Sequence, residues 1–235
     1  MANPAELLHT QLSEWRKTGS LKTTRNLPSE VGWSDMRFAV TNLQNCIDLL
    51  NKMEANGQQI TAWTSYIESW NRAVFGLDVP WSGSSGANGG VDEHALNSLL
   101  SLSAFLDLYV PKLNEGGLDS LRDMLDSDIL NKPAQDYPFE LKAYLARVRN
   151  HLEWCIENFD KLGEFELHEA AMQFRMTVLF MASSAPNATE KNRWATFIKD
   201  KFVWPFTTST MTTAPANWAA SQLGELGQHL FELLP

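Results

Sequence analysis

The chain has 235 residues, of which 44% are hydrophobic and 20% charged, and it contains nine Trp and twelve Phe. This apolar content excludes an intrinsically disordered chain. The formal net charge of −9 lies in the middle of the chain, where residues 92–169 carry 16 acidic and 7 basic side chains and the remainder carries 12 of each. Because phosphate binding needs clustered Lys and Arg, this charge pattern disfavours nucleic acid as a partner.

Residues 1–10 lack a basic stretch followed by a long apolar run, so we expect a cytoplasmic protein without a secretory signal. The longest uncharged stretch, residues 202–224, is rich in Thr, Ser and Pro and is too polar to cross a membrane. Cys46 and Cys155 each lie among apolar residues at helical spacing, which predicts two buried, reduced thiols.

Apolar residues recur at helical spacing along the chain, and capping residues, Gly and Pro mark the breaks. Asn3-Pro4 begins the first predicted helix, Asp92 caps a leucine-rich one, and Pro138 begins the most regular one, which ends at Gly163. The pattern predicts an all-α, irregular bundle of about nine helices. The predicted helices span residues 4–18, 34–57, 60–76, 92–111, 119–131, 138–163, 164–182, 189–202 and 216–234.

Residues 77–91, between the third and fourth predicted helices, are rich in Gly and Ser, which is typical of a flexible loop or linker. We therefore predict a single helical domain over residues 1–235, with this loop as the place where any sub-division falls. The segment Gly83–Ala87 lacks the spacing of a nucleophile elbow and the Gly-Lys-Ser/Thr ending of a phosphate loop, so it predicts no catalytic role.

Metal-ligand residues are sparse. His168-Glu169 begins like a helical zinc motif, but Met172 occupies the place of the second histidine. His94, His151 and His168 lie on three different predicted helices, and a bundle could bring them together as a three-nitrogen zinc site. The acidic residues between Glu153 and Glu169 are interpreted as solvated helix faces, since no Glu-x-x-His motif accompanies them.

Tryptophan is the most distinctive residue type. Trp63 and Trp70 share one predicted helix face and are explained by burial in a core. Trp33, Trp81, Trp204 and Trp218 lie instead at helix edges or beside loops. A large rigid ring at such an edge is a common anchor in protein interfaces, and Trp81 beside the glycine-rich loop is the first choice.

One short segment resembles a known family. Arg193-Trp194, Val203-Trp204 and Ala214–Ser221 are similar to a stretch of coat proteins from flexible filamentous plant viruses. That family packages RNA, which the acidic middle of this chain disfavours. The resemblance covers about thirty residues, so no residue role is carried over from it.

The absence of a complete set of catalytic residues favours a non-enzymatic protein that needs no cofactor. It is expected to bind another protein, or a second copy of itself, through its tryptophan-bearing edges and an acidic middle surface. The alternative is a metal-dependent or small-molecule enzyme whose site is assembled between helices, with His94, His151 and His168 as its ligands.

Overall fold

The computed structural model describes residues 2–83 and 88–207, and the regular elements found there are α-helices. A single antiparallel bridge joins Leu113 to Phe206 within these residues. The predicted all-α, multi-helix fold is confirmed. The predicted helix at 216–234 lies outside the described residues. The helices are α1 (Pro4–Trp15), α2 (Leu21–Thr24), α3 (Glu30–Ala55), α4 (Thr61–Thr64), α5 (Ile67–Phe75), α6 (Glu93–Leu106), α7 (Gly117–Leu125), α8 (Asp128–Asn131), α9 (Phe139–Glu157), α10 (Phe159–Ser183) and α11 (Ala188–Asp200).

Capping side chains begin two helices where the sequence predicts them, Asn3 at α1 and Asp92 at α6, each by accepting hydrogen bonds from backbone N–H groups of the first turn. Asn187, which was not predicted as a cap, does the same at α11. Other ends differ from prediction. The helix α3 begins at Glu30 rather than Ser34, because the Ser29 hydroxyl accepts a hydrogen bond from the Gly32 N–H at 3.1 Å.

The helices form two compact units. The first unit comprises Met1–Leu108 and Asp160–Phe165, and the second comprises Tyr109–Phe159 and Glu166–Pro235. In the first unit α1 packs against α3 and α6, and α3 also packs against α5. The Gly/Ser-rich loop at 77–91 belongs to this unit, where the carbonyl of Pro80 accepts a hydrogen bond from the Leu21 N–H at 3.0 Å. Residues 84–87 of the loop lie outside the described part of the chain.

Two buried polar anchors hold the first unit together. The indole N–H of the fully buried Trp70 donates to the Ala95 carbonyl at 3.0 Å, which joins α5 to α6. Arg25 is also buried, lies over the Trp15 ring, and donates to the carbonyls of Ala73 and Val74 at the end of α5. Burial lowers the pKa of Arg25 to about 10. A cation at this position neutralises the partial negative charge of the helix end.

In the second unit α7 packs against α9, and α11 packs against α8. Trp194 on α11 is fully buried, and its ring meets Phe197 edge-on. Tyr137 precedes α9, and its hydroxyl donates a hydrogen bond to the Met181 carbonyl on α10 at 2.9 Å. The Tyr137 bond joins the segment before α9 to the last turns of α10.

The helix α10 is kinked at Gly163, which adopts φ 72° and ψ −170°. The helix interruption that the sequence predicted at this glycine is confirmed, and a second break, at Asn158, separates α9 from α10. Gly163 is required for two reasons. Its positive φ disfavours other residues, and a Cβ there would lie 2.4 Å from the Ala2 carbonyl oxygen.

Among the described helices, none is both long enough and apolar enough to cross a lipid bilayer.

We expect Asn3→Ala to lower the free energy of unfolding by about 2 kcal/mol. The buried Asn3 side chain accepts hydrogen bonds from Ala5 and Glu6 and donates to the Ser103 carbonyl at 2.9 Å, so its loss uncaps α1 and breaks the link to α6. Urea unfolding measures the change. Ser127→Ala is the matched control, because Ser127 precedes α8 without a side-chain capping hydrogen bond, and it is expected to cost less than about 0.5 kcal/mol. Equal effects of the two substitutions would contradict this account of α1.

Candidate functional sites

Trp33 and Trp81 lie together on the surface of the first unit. Their ring centroids are 6.4 Å apart, and the side chains are 46% and 55% exposed. The position of Trp81 is fixed through its backbone, since its carbonyl accepts a hydrogen bond from the Lys22 N–H at 3.4 Å. The structure thus pairs two of the four tryptophans that the sequence singled out. Two large exposed rings in contact are the kind of anchor that protein interfaces use.

The helix α3 presents two different faces. Its buried face includes Phe38, Cys46, Leu49, Leu50 and Met53. Five of its exposed residues are spaced alternately three and four positions apart. We name them the α3 seam: Glu30, Trp33, Arg37, Val40 and Gln44. Residues at this spacing share one side of a helix and are the positions through which paired helices contact each other.

The remaining predicted tryptophans differ from this pair. Trp204 is half-buried in the second unit, where the Arg175 guanidinium lies 5.2 Å from the centroid of its ring and the His168 ring meets it edge-on. Its ring is therefore already packed against a cation and an imidazole. Trp218 lies outside the described residues.

The predicted histidines fall in different surroundings. His94 is exposed in the first turn of α6 in the first unit. His168 in the second unit is 7% exposed at its side chain and is enclosed by the rings of Trp204 and Phe206. His151 on α9 forms a cluster with other residues, Cys155 and Glu166.

His151, Cys155 and Glu166, which we name the α9–α10 trio, bring three metal-ligand atoms together. Within the described residues they are the one group of three or more His, Cys, Asp and Glu side chains close enough to share an ion, with all ligand atoms within 4.8 Å of one another. His151 Nε2 lies 4.0 Å from Cys155 Sγ and 3.7 Å from Glu166 Oε1. His151 and Cys155 are four residues apart on α9 and so share one helix face.

Burial differs across the trio. Cys155 is fully buried, whereas the side chains of Glu166 and His151 are 16% and 38% exposed. Burial, followed by the charge of Glu166, raises the pKa of the Cys155 thiol far above its ordinary value. The outer side of His151 stacks on Trp154, with ring centroids 5.9 Å apart. The trio therefore has a dry thiol side and a solvent-facing imidazole side.

The geometry argues against a Cys–His–Glu nucleophile. In such a triad the base contacts the nucleophile with one ring nitrogen and the orienting carboxylate with the other. Here the closest sulfur and carboxylate contacts both involve Nε2 of His151. The thiol is also buried and strongly protonated, whereas a reactive cysteine is a partly exposed thiolate. Three ligand atoms within 4.8 Å of one another suit an ion better than a proton relay.

Sequence reasoning found only one member of this trio. Cys155 is buried and free, as the helical pattern predicts, but its spacing of four from His151 was a usable signal that was missed. Glu166 was interpreted as a solvated acid, and it is mostly buried against α9 instead. The same interpretation is wrong for Glu164, which is fully buried in the first unit.

Comparison of the chain with family models, curated proteins and solved structures finds no match.

We expect Cys46 and Cys155 to resist a thiol reagent such as Ellman's reagent at pH 8 in the folded protein. Both thiols are buried, and burial raises the pKa of each, so the reactive thiolate is scarce and inaccessible. In guanidinium chloride both cysteines should react. Rapid modification of Cys155 in the folded protein would contradict the burial of the trio, and rapid modification of Cys46 would contradict the burial of that face of α3.

Proposed function

We propose that the protein associates with a second copy of itself through the first two turns of the α3 seam, Glu30 to Arg37, with Trp33 at the centre of the contact and Trp81 beside it. It is proposed to act in the cytoplasm as a self-assembling helical protein. The observation that carries the proposal is the exposed Trp33–Trp81 pair, in which Trp33 lies between an acid and a base on one face of α3.

The charges of the α3 seam favour a two-fold symmetric contact between two copies of the chain. Glu30 and Arg37 are both exposed, and Trp33 lies almost midway between them. They are separated by seven residues, or about 10 Å along the helix axis. If two α3 helices cross antiparallel with the two-fold axis beside Trp33, Glu30 of each copy faces Arg37 of the other. A two-fold contact forms every such pair twice.

An alternative axis is disfavoured by the same residues. If the axis passed beside Arg37, that side chain would face its own copy, and like charges opposed at a contact are destabilising. The axis beside Trp33 instead places the indole rings at the centre and the ion pairs at the rim, which is the usual anatomy of a protein interface. The charge pattern therefore supports one register over the other.

The acidic middle surface stays a prediction. Its residues, 92–169, are divided between the two units, and the α3 seam lies outside them. A different protein partner for that surface is compatible with assembly through α3, but no contact of the described residues favours a particular one.

Substitution of Trp33 by Ala is expected to weaken self-association by about 30-fold, the effect of losing a central aromatic anchor worth about 2 kcal/mol. Analytical ultracentrifugation over a range of concentrations measures the dissociation constant. The control is Phe139→Ala, because Phe139 is 77% exposed but lies in the second unit, and it should leave the constant unchanged. A wild-type chain that stays monomeric up to hundreds of micromolar would refute the proposal.

Charge reversal tests the register. Glu30→Arg and Arg37→Glu alone should each weaken association by about tenfold or more, because each places like charges together at two positions of the contact. The double variant Glu30→Arg/Arg37→Glu restores opposite charges at both positions, so its dissociation constant should return to within about threefold of wild type. Additive losses in the double variant would exclude the antiparallel register.

A further inference from the structure

We propose that His151, Cys155 and Glu166 form a binding site for a divalent transition-metal ion, with Zn²⁺ as the ion that fits best. The site lies in the second unit and uses no residue of the α3 seam, so it stands independently of self-association. It differs from the three-histidine site considered for the sequence, since only His151 is common to both.

The ligand atoms are already close to a metal-bound arrangement. In a tetrahedral site with a Zn–S bond of about 2.3 Å and Zn–N and Zn–O bonds of about 2.0 Å, ligand atoms lie roughly 3.3–3.7 Å apart. The Nε2–Oε1 distance of 3.7 Å and the Nε2–Sγ distance of 4.0 Å are slightly longer, and the largest separation in the trio is below 4.8 Å. Closing these gaps takes side-chain shifts of about 1 Å or less, which the partly exposed His151 and Glu166 permit.

The donor set selects the kind of ion. A thiolate and an imidazole are ligands that Zn²⁺ and similar transition metals prefer, whereas Mg²⁺ and Ca²⁺ require oxygen donors. On binding, the Cys155 S–H bond breaks, its proton passes to solvent, and the thiolate takes up the metal. The thiolate and the Glu166 carboxylate together balance the charge of a divalent ion in a largely buried setting.

Access is provided on the imidazole side. His151 is the most exposed member of the trio, so an ion can enter beside it while Cys155 closes the inner side. Three protein ligands leave the fourth tetrahedral position for water or another ligand, as in zinc sites that are not purely structural. The stacked Trp154 ring limits the movement of the imidazole on its outer face.

The test uses tag-free, full-length protein freed of metal by a chelator. Isothermal titration with Zn²⁺ is expected to show one ion per chain. Titration with Co²⁺ should give the visible bands of tetrahedral coordination together with a near-ultraviolet thiolate-to-cobalt charge-transfer band. A wild-type protein that binds no Zn²⁺ at tens of micromolar, or a cobalt complex without the thiolate band, would overturn the proposal.

Ligand variants assign the site. Cys155→Ser, His151→Ala and Glu166→Gln should each weaken Zn²⁺ binding by more than about 100-fold, since loss of even an outer-shell partner costs 10- to 100-fold. Cys46→Ser and His94→Ala are the matched controls, a buried thiol and an exposed histidine of the first unit, and should leave binding unchanged. Circular dichroism checks that each variant is folded. The wild-type cobalt spectrum reports the thiolate ligand directly, so it tests the site even if a variant fails to fold. Tight Zn²⁺ binding by folded Cys155→Ser would refute the site.

Discussion

The burial of one face of α3 is the constraint on which the first unit depends. Leu49, Leu50 and Met53 are almost wholly buried in that face, and α1 and α5 pack against the helix. A helix has a fixed period, so the choice of buried residues also determines which residues face solvent. Trp33 is therefore held outward by the packing of other residues, although exposing so large an apolar ring is costly. A contact that covers Trp33 would recover part of that cost.

A second constraint acts at the junction of α9 and α10. Asn158 ends α9 and begins α10, and Gly163 then kinks α10 before Glu166. Glu166 reaches His151 only because the chain reverses over these few residues. The resulting trio combines one fully buried thiol with two groups that remain in touch with solvent, an arrangement that suits a bound ion better than a nucleophile.

The sequence predicted the fold class well because helix periodicity and capping are local. Asn3 and Asp92 act through hydrogen bonds to backbone groups two or three residues away, so their role is visible in the chain itself. Boundaries that depend on tertiary packing were less accurate. The stripe predicted over 60–76 is interrupted between α4 and α5, and the four-residue helix α2 was not predicted because so short an element has no period to detect.

The candidate sites were only partly predictable for the same physical reason. Position beside a loop was enough to single out Trp33 and Trp81, but their contact with each other depends on how residues 80–81 pack against α2. His151 was recognised as a metal-ligand residue. Gly163 marked the position of the break before Glu166, but the direction that the chain takes after it, which brings Glu166 to His151, is not encoded locally. Charge alone was misleading for Glu164, which is buried despite its carboxylate.

The distance between spin labels on the two copies tests the register of α3 against α3 most directly. The labels are attached at Ser34→Cys in one variant and at Gln44→Cys in another, and the buried Cys46 and Cys155 stay unlabelled. An antiparallel contact centred beside Trp33 predicts about 20 Å or less between the two labels at position 34, and roughly 30–35 Å at position 44. Double electron–electron resonance measures both. Short distances at both positions would indicate parallel helices, and the absence of dipolar coupling at both would indicate no α3 contact, so either result would contradict the account.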